Sequence, residues 1–178
     1  MASVSDLHIA VFAKPPVPGQ VKTRLIPSVG VERAAELQRA MLWKTLSVAS
    51  KVAGGQISIW VSGDPEHPTL RPFRKAFAPA MQVQHGDDLG TRMCSTMATL
   101  LAAHGRVLLV GCDCPLLTVG HIHDAAAALD DKRKDAVFIP VEDGGYVLVG
   151  LKARPERQQV LLDAVFADIP WSTDQVMV

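Results

Sequence analysis

The chain has 178 residues, 48% hydrophobic and 20% charged, enough apolar material for one sizeable core and too little length for two. Lysine plus arginine equals aspartate plus glutamate at 18 each, which excludes the broad positive field of a protein that grips nucleic acid regardless of sequence. No apolar stretch reaches bilayer-spanning length, the N-terminus lacks signal-peptide features, and three cysteines without paired spacing exclude a disulfide framework, so a reduced, cytoplasmic protein is expected.

Leu7–Ala13 is apolar apart from His8 and runs into a Pro/Gly-rich segment, which predicts a buried strand feeding a loop. Between residues 30 and 52, Ala34, Leu37, Met41, Leu42, Leu46 and Ala49 recur near helical spacing, with Glu32, Arg33, Glu36 and Arg39 on other faces. That pattern predicts a long amphipathic helix. Residues 56–62 are β-branched and bounded by glycines, a second strand; after a proline-punctuated stretch, residues 81–85 form a weaker third. A helix is expected over 89–104, where Met93, Met97, Leu100 and Leu101 fall at helical intervals, then a short strand at 106–111. A further helix over 119–129 precedes two strands, 135–140 and 146–151, separated by EDGG and able to pair. The alternation predicts a single domain over 1–178 of three-layer α/β/α type, with helices on both faces of a mostly parallel sheet. Ligands in such sheets sit beyond the carboxyl ends of strands.

Residues 14–24, KPPVPGQVKTR, follow the first strand and place Lys14, Lys22 and Arg24 on one proline-stiffened loop. Guanidinium forks and compact ammonium charges suit diphosphate oxygens, although solvated loop charge is an equal reading. GxGxxG and GxxxxGK[ST] are both absent, so neither a Rossmann site nor a P-loop is supported. Asp113 ends the apolar run VLLVG and either caps the next turn or offers a hard oxygen to Mg²⁺ or Mn²⁺ beside substrate phosphates. Its neighbours Cys112 and Cys114 are expected to point to the opposite face and pack.

In the EDGGY segment, Asp143 is placed to reach a metal, position an acceptor or act as general base; a plain turn is the bland alternative. Residues 86–92 lead into a helix whose free N–H groups suit an anion, with Asp88 near the cap and Gly90 and Arg92 on the same side. His121 and His123 splay apart at a helix start and are assigned no role.

Taken together, FAKPPVPGQVKTRL, GDDLGTRM, VLLVGCDCPLL, PVEDGGYVLVGL and IPWSTDQV resemble a family of small bacterial transferases with the GT-A, nucleotide-diphospho-sugar transferase fold. The relatives include radical-SAM- and selenodomain-associated and arsenosugar-biosynthesis-type transferases. The blocks occur in family order and cover nearly the whole chain from Phe12 onward. The resemblance implies a nucleotide held by the loop around Ala13, Lys14 and Pro15, with Lys22 and Arg24 toward its phosphates, and Asp113 as ligand to Mg²⁺ or Mn²⁺. Asp88, Gly90 and Arg92 join the nucleotide side.

Two positions depart from the family pattern, Lys44 and Leu116, where relatives carry acidic residues. The leading expectation is glycosyl transfer from a nucleoside-diphosphate sugar, with Asp143 and Lys22 as the catalytic pair. Nucleotidyl transfer with release of pyrophosphate, as in the guanylyltransferases of molybdenum-cofactor or deazaflavin-cofactor assembly, is the alternative, followed by noncatalytic nucleotide-sugar binding. The expected partner is a nucleotide-activated small molecule, with no nucleic acid and no membrane segment; a homo-oligomer stays open.

Overall fold

Every residue of the first strand, β1 (Leu7–Ala13), is buried. A strand with no polar face must be flanked in its sheet and covered on both sides. The computed structural model, which describes residues 6–54, 56–142, 145–167 and 169, shows both conditions. Parallel partners flank β1: β2 (Ile57–Val61) on one side and β4 (Arg106–Gly111) on the other. β3 (Ala80–Val83) extends the sheet beyond β2, and β6 (Tyr146–Lys152) and β5 (Ala136–Pro140) extend it beyond β4. The order of the six strands is β3-β2-β1-β4-β6-β5, with β6 antiparallel to both neighbours.

Two apolar clusters lie on opposite faces. One joins Leu42, Leu46 and Ala49 of α2 (Val31–Val52), Phe73 of α3 (Arg71–Phe77) and Ile122 of α5 (Val119–Ala128) to Ile9, Val11 and Ile59. The other joins Met93 and Met97 of α4 (Leu89–Leu101) and Leu162 and Phe166 of α6 (Gln158–Phe166) to Ala10, Phe12 and Leu109. The alternation Ile9/Val11 against Ala10/Phe12 is the period of two that sends successive side chains to opposite faces. This is the expected α/β/α arrangement. Among the described residues no helix is long and apolar enough to cross a membrane.

Three helices go beyond the sequence expectation: the single turn α1 (Ile26–Val29), α3 and α6. α3 is seven residues long with Pro72 in its first turn, too short for periodicity to show. α6 does carry a signal, since Leu162 and Phe166 are the buried i, i+4 pair of an amphipathic turn.

Candidate functional site

The chain leaves β1 toward β2 and β3 on one side and later returns to β4 on the other, so the strand order reverses between β1 and β4. The loops that leave their carboxyl ends part in opposite directions and open a crevice there. The loop after β1 forms one wall. Val17 to Gln20 is a hydrogen-bonded turn with Pro18 at its second position and Gly19 at φ 81° at its third, as a type II turn requires. Buried Pro16 and Val21 pin this loop to the body, while Lys14 and Arg24 stay exposed. Among the described residues neither of these two cations has an ion-pair partner, so both are open to an anion.

Lys22 crosses the crevice. Its Nζ lies 2.8 Å from Oδ1 of Asp113, the second residue after β4. The Lys22 backbone is left-handed at φ 49°, a conformation that costs a non-glycine residue about 1 kcal/mol or more. The same Asp113 oxygen is approached by the Cys112 thiol, Sγ to Oδ1 3.6 Å, and that sulfur accepts a hydrogen bond from Gln38 Nε2 at 3.3 Å. Burial, then the negative charge of Asp113, pushes the Cys112 thiol up to about 12, so it is a neutral S–H at physiological pH.

The segment between β3 and α4 also follows a strand's carboxyl end. Asp88 is the N-cap of α4, its Oδ1 accepting from Thr91 N at 2.8 Å and its Oδ2 from the Thr91 hydroxyl at 2.9 Å. These bonds, the backbone one first, hold the Asp88 carboxyl below the usual aspartate range. Arg92 Nε donates to the Gly86 carbonyl at 2.8 Å and Nη1 approaches Ser62 Oγ at 3.4 Å. Ser62 N in turn donates to the Ala13 carbonyl, so the ends of β1, β2 and β3 are tied into one rim.

The described residues hold no group of three or more His, Cys, Asp or Glu that could cage a metal. What they offer is one exposed carboxylate beside cations. Oδ1 of Asp113 is taken by Lys22 and Cys112, and Oδ2 accepts no hydrogen bond among the described residues. A hard divalent ion that binds one carboxylate and completes its shell with phosphate oxygens and water fits that donor set. A metal needing several protein ligands does not.

A bacterial family model, DUF2064, described as uncharacterised proteins conserved in bacteria, matches residues 45–173. The chain belongs to this family. A crystal structure from Desulfovibrio desulfuricans G20, described as a putative nucleotide-diphospho-sugar transferase, is 30% identical and superposes with a TM-score of 0.79 over 97% of this chain and 72% of that one. A cytidylyltransferase from Leptospira borgpetersenii (11% identity, TM-score 0.58, 90% and 63% coverage) shares the fold alone. So does a 4-diphosphocytidyl-2C-methyl-D-erythritol synthase from Anaerococcus prevotii (14%, 0.57, 98% and 83%). No curated protein matches the sequence.

On this DUF2064 scaffold Ala13, Lys14, Pro15, Lys22, Arg24, Asp88, Gly90, Arg92 and Asp113 all stand on segments at the carboxyl end of the parallel strands. Asp143, and all of the IPWSTDQV block except Ile169, lie outside the described residues. Lys44 is exposed thirteen residues into α2, roughly 20 Å along the helix from Val31, whereas Leu116 is 78% exposed just after Asp113.

Two sequence expectations need correction. Cys112 does pack into the core, but its thiol also turns back to Asp113, because the chain leaves the extended conformation after Gly111 and strict alternation no longer applies. His121, assigned no role from the sequence, has a structural one: Thr118 and His121 form a reciprocal capping box at the start of α5. Gln38 and Ser62 were missed altogether. Gln38 carried a signal, a glutamine in register with the buried stripe of α2, where it is 4% exposed.

Proposed function

We propose that this protein is a transferase acting on a nucleotide-activated substrate, and specifically a glycosyltransferase that uses a nucleoside-diphosphate sugar. The observation that carries the reading is the meeting of Lys22 and Asp113 across the switch-point crevice, with Lys14 and Arg24 on the same loop as Lys22 and without an ion-pair partner among the described residues. Cations fixed before the substrate arrives stabilise charge that grows on a diphosphate leaving group without reorganising during the reaction. In this scheme Lys14, Lys22 and Arg24 bind the phosphates, Arg92 supports the nucleotide rim, and Asp113 would hold Mg²⁺ or Mn²⁺. The metal supplies Lewis-acid neutralisation of the diphosphate.

The bond between the sugar anomeric carbon and the diphosphate oxygen breaks, with its electron pair leaving on the nucleoside diphosphate. A bond from an acceptor oxygen to that carbon forms, and the acceptor proton passes to the Asp143 carboxylate. The 30% identity to the Desulfovibrio desulfuricans protein described as a nucleotide-diphospho-sugar transferase supports a sugar donor.

The test is a panel of UDP-, GDP- and dTDP-sugars with Mn²⁺, following transfer or slow hydrolysis in wild type and Asp113→Ala. The expected result is metal-dependent release of nucleoside diphosphate that the variant loses by at least 100-fold. Wild-type inactivity equal to the variant under every donor would overturn the reading. A parallel panel of nucleoside triphosphates with phosphorylated acceptors, scored for pyrophosphate, identifies nucleotidyl transfer instead.

A further inference from the structure

Cys112 has a place in this site that packing does not account for. Its sulfur accepts a hydrogen bond from the side-chain amide of Gln38, a residue of α2 that is 4% exposed. A buried amide is costly unless hydrogen-bonded, and here its donor is spent on a thiol. The consequence is a fixed rotor. A thiol has one hydrogen, and that hydrogen cannot point at an incoming N–H donor, so it is directed to the other polar atom within reach, Asp113 Oδ1 at 3.6 Å. Lys22 Nζ occupies the same oxygen.

We infer that Cys112, oriented by Gln38, is a positioning residue that holds Asp113 Oδ1 together with Lys22 and so presents Oδ2 alone to the crevice. Asp113 needs such a constraint because it is exposed on a loop, with no other hydrogen bond among the described residues to choose its rotamer. A carboxylate presented through a single oxygen favours one-point ligation of a divalent ion whose remaining shell is phosphate and water. The relay rests on geometry alone; its consequence for ligation rests on the nucleotide-transferase reading above, and the two are tested separately.

The relay is read by infrared spectroscopy of the S–H stretch, which falls in a window otherwise free of protein bands. The Cys112 band is isolated as the difference between wild type and Cys112→Ser. In Asp113→Ala it is expected to shift to the higher frequency of a weakly bonded thiol, and in Gln38→Leu to broaden as the rotor is freed. An unchanged band in Asp113→Ala overturns the relay whether or not the protein binds any nucleotide.

The consequence is read by titrating Mn²⁺ in the presence of UDP, GDP or CDP and following water-proton relaxation. Cys112→Ser keeps a donor and is expected to match wild type. Cys112→Ala, and Cys112→Val as a better-filled alternative should the alanine variant fold poorly, are expected to bind Mn²⁺ about three- to ten-fold more weakly, the range of one hydrogen bond. Equal binding by wild type, Cys112→Ser and the folded apolar variant overturns the positioning role. No Mn²⁺ uptake by wild type with any of the three nucleotides removes the metal-assisted reading and the ligation consequence with it, while the infrared band still decides the relay.

Discussion

Lys22 is the more buried member of its pair with Asp113: the lysine side chain is 17% exposed and the aspartate 72%. Lysine stems usually run along the surface with the ammonium in water, so the reversal leaves the carboxylate facing solvent and the cation held behind it. Removing the ammonium therefore takes away a charge that is already in place, and Lys22→Met is expected to weaken binding of a nucleoside diphosphate by about ten-fold or more, measured by calorimetry. Backbone and side chain separate in a second comparison. Because residue 22 sits at φ 49°, Lys22→Gly is expected to be more stable than Lys22→Ala by about 1 kcal/mol in urea unfolding, although both lose the ion pair. Equal stability would mean that the left-handed turn is not held in solution.

Gly86 is a second position where the backbone decides. It has φ 139°, and a Cβ there would lie 2.8 Å from Thr91 Cγ2 and 2.9 Å from Arg92 N. Gly86→Ala is expected to cost about 2–3 kcal/mol, combining backbone strain with overpacking, and to loosen the Arg92 bond to the residue 86 carbonyl. Gly19→Ala is the control: φ 81° but nothing within 4 Å of the added carbon, so only the strain of about 1 kcal/mol is expected. Denaturant midpoints of the two variants give the comparison.

The opposite end of the sheet holds a buried histidine. His8 donates to or accepts from Ser58 Oγ at 2.8 Å, stacks at 4.5 Å on His104, and with Gln56 and Ala80 lines a cavity of about 530 Å³ at the amino ends of the strands. Among the described residues its lining has no carboxylate or fixed cation, and it lies at the end of the sheet away from the proposed site. Burial, then the charge of His104, lowers the His8 pKa from 6.5 to about 4. The folded protein thus binds the proton less readily than the unfolded chain. Its contribution is fully present above pH 6.5, declines as pH falls, and is gone below about 4. His8→Gln, which keeps a partner for Ser58, is expected to flatten the fall in unfolding free energy between pH 6.5 and 4; an identical slope in both proteins would sink this assignment.

β1 and β4 appear in the sequence with their observed limits because continuous apolar runs bounded by Gly and Pro leave little choice. Leu7–Ala13 and Arg106–Gly111 then fix the crevice, since the residues that follow them are forced to its rim. What stays hidden is the partner of each rim residue. Lys14, Lys22 and Arg24 look alike in the sequence, yet only Lys22 reaches Asp113, and it does so through a left-handed backbone that no propensity for lysine would suggest. Gln38 illustrates the other limit. Helical spacing places it among Ala34, Ala35 and Leu42, but that it faces a thiol 74 residues away depends on how α2 packs on β1 and beside α5. α3 stayed unread for a local reason, being a seven-residue helix entered through a proline-bearing turn.

Asp88 joins the stability of α4 to the rim at the strands' carboxyl ends, because it caps the helix that supplies the Arg92 contacts to Gly86 and Ser62. Its carboxyl is held below the ordinary range by the Thr91 backbone N–H and then the Thr91 hydroxyl. A carboxylate whose folded pKa is depressed stabilises the fold above its unfolded value near 3.8, and that contribution disappears as pH falls through the lower folded value. Asp88→Asn keeps an oxygen for Thr91 N without the charge, so it is expected to hold the cap at neutral pH and to lose less stability than wild type between pH 5 and pH 3. Asp88→Ala is expected to lose the cap at both pH values and, by fraying the first turn of α4, to weaken the nucleotide binding proposed above. Thermal unfolding at pH 7, 5 and 3 for the three proteins distinguishes cap from charge: Asp88→Asn tracking Asp88→Ala at pH 7 would mean that the ionised carboxylate, and not the hydrogen-bond geometry, is what holds the helix start.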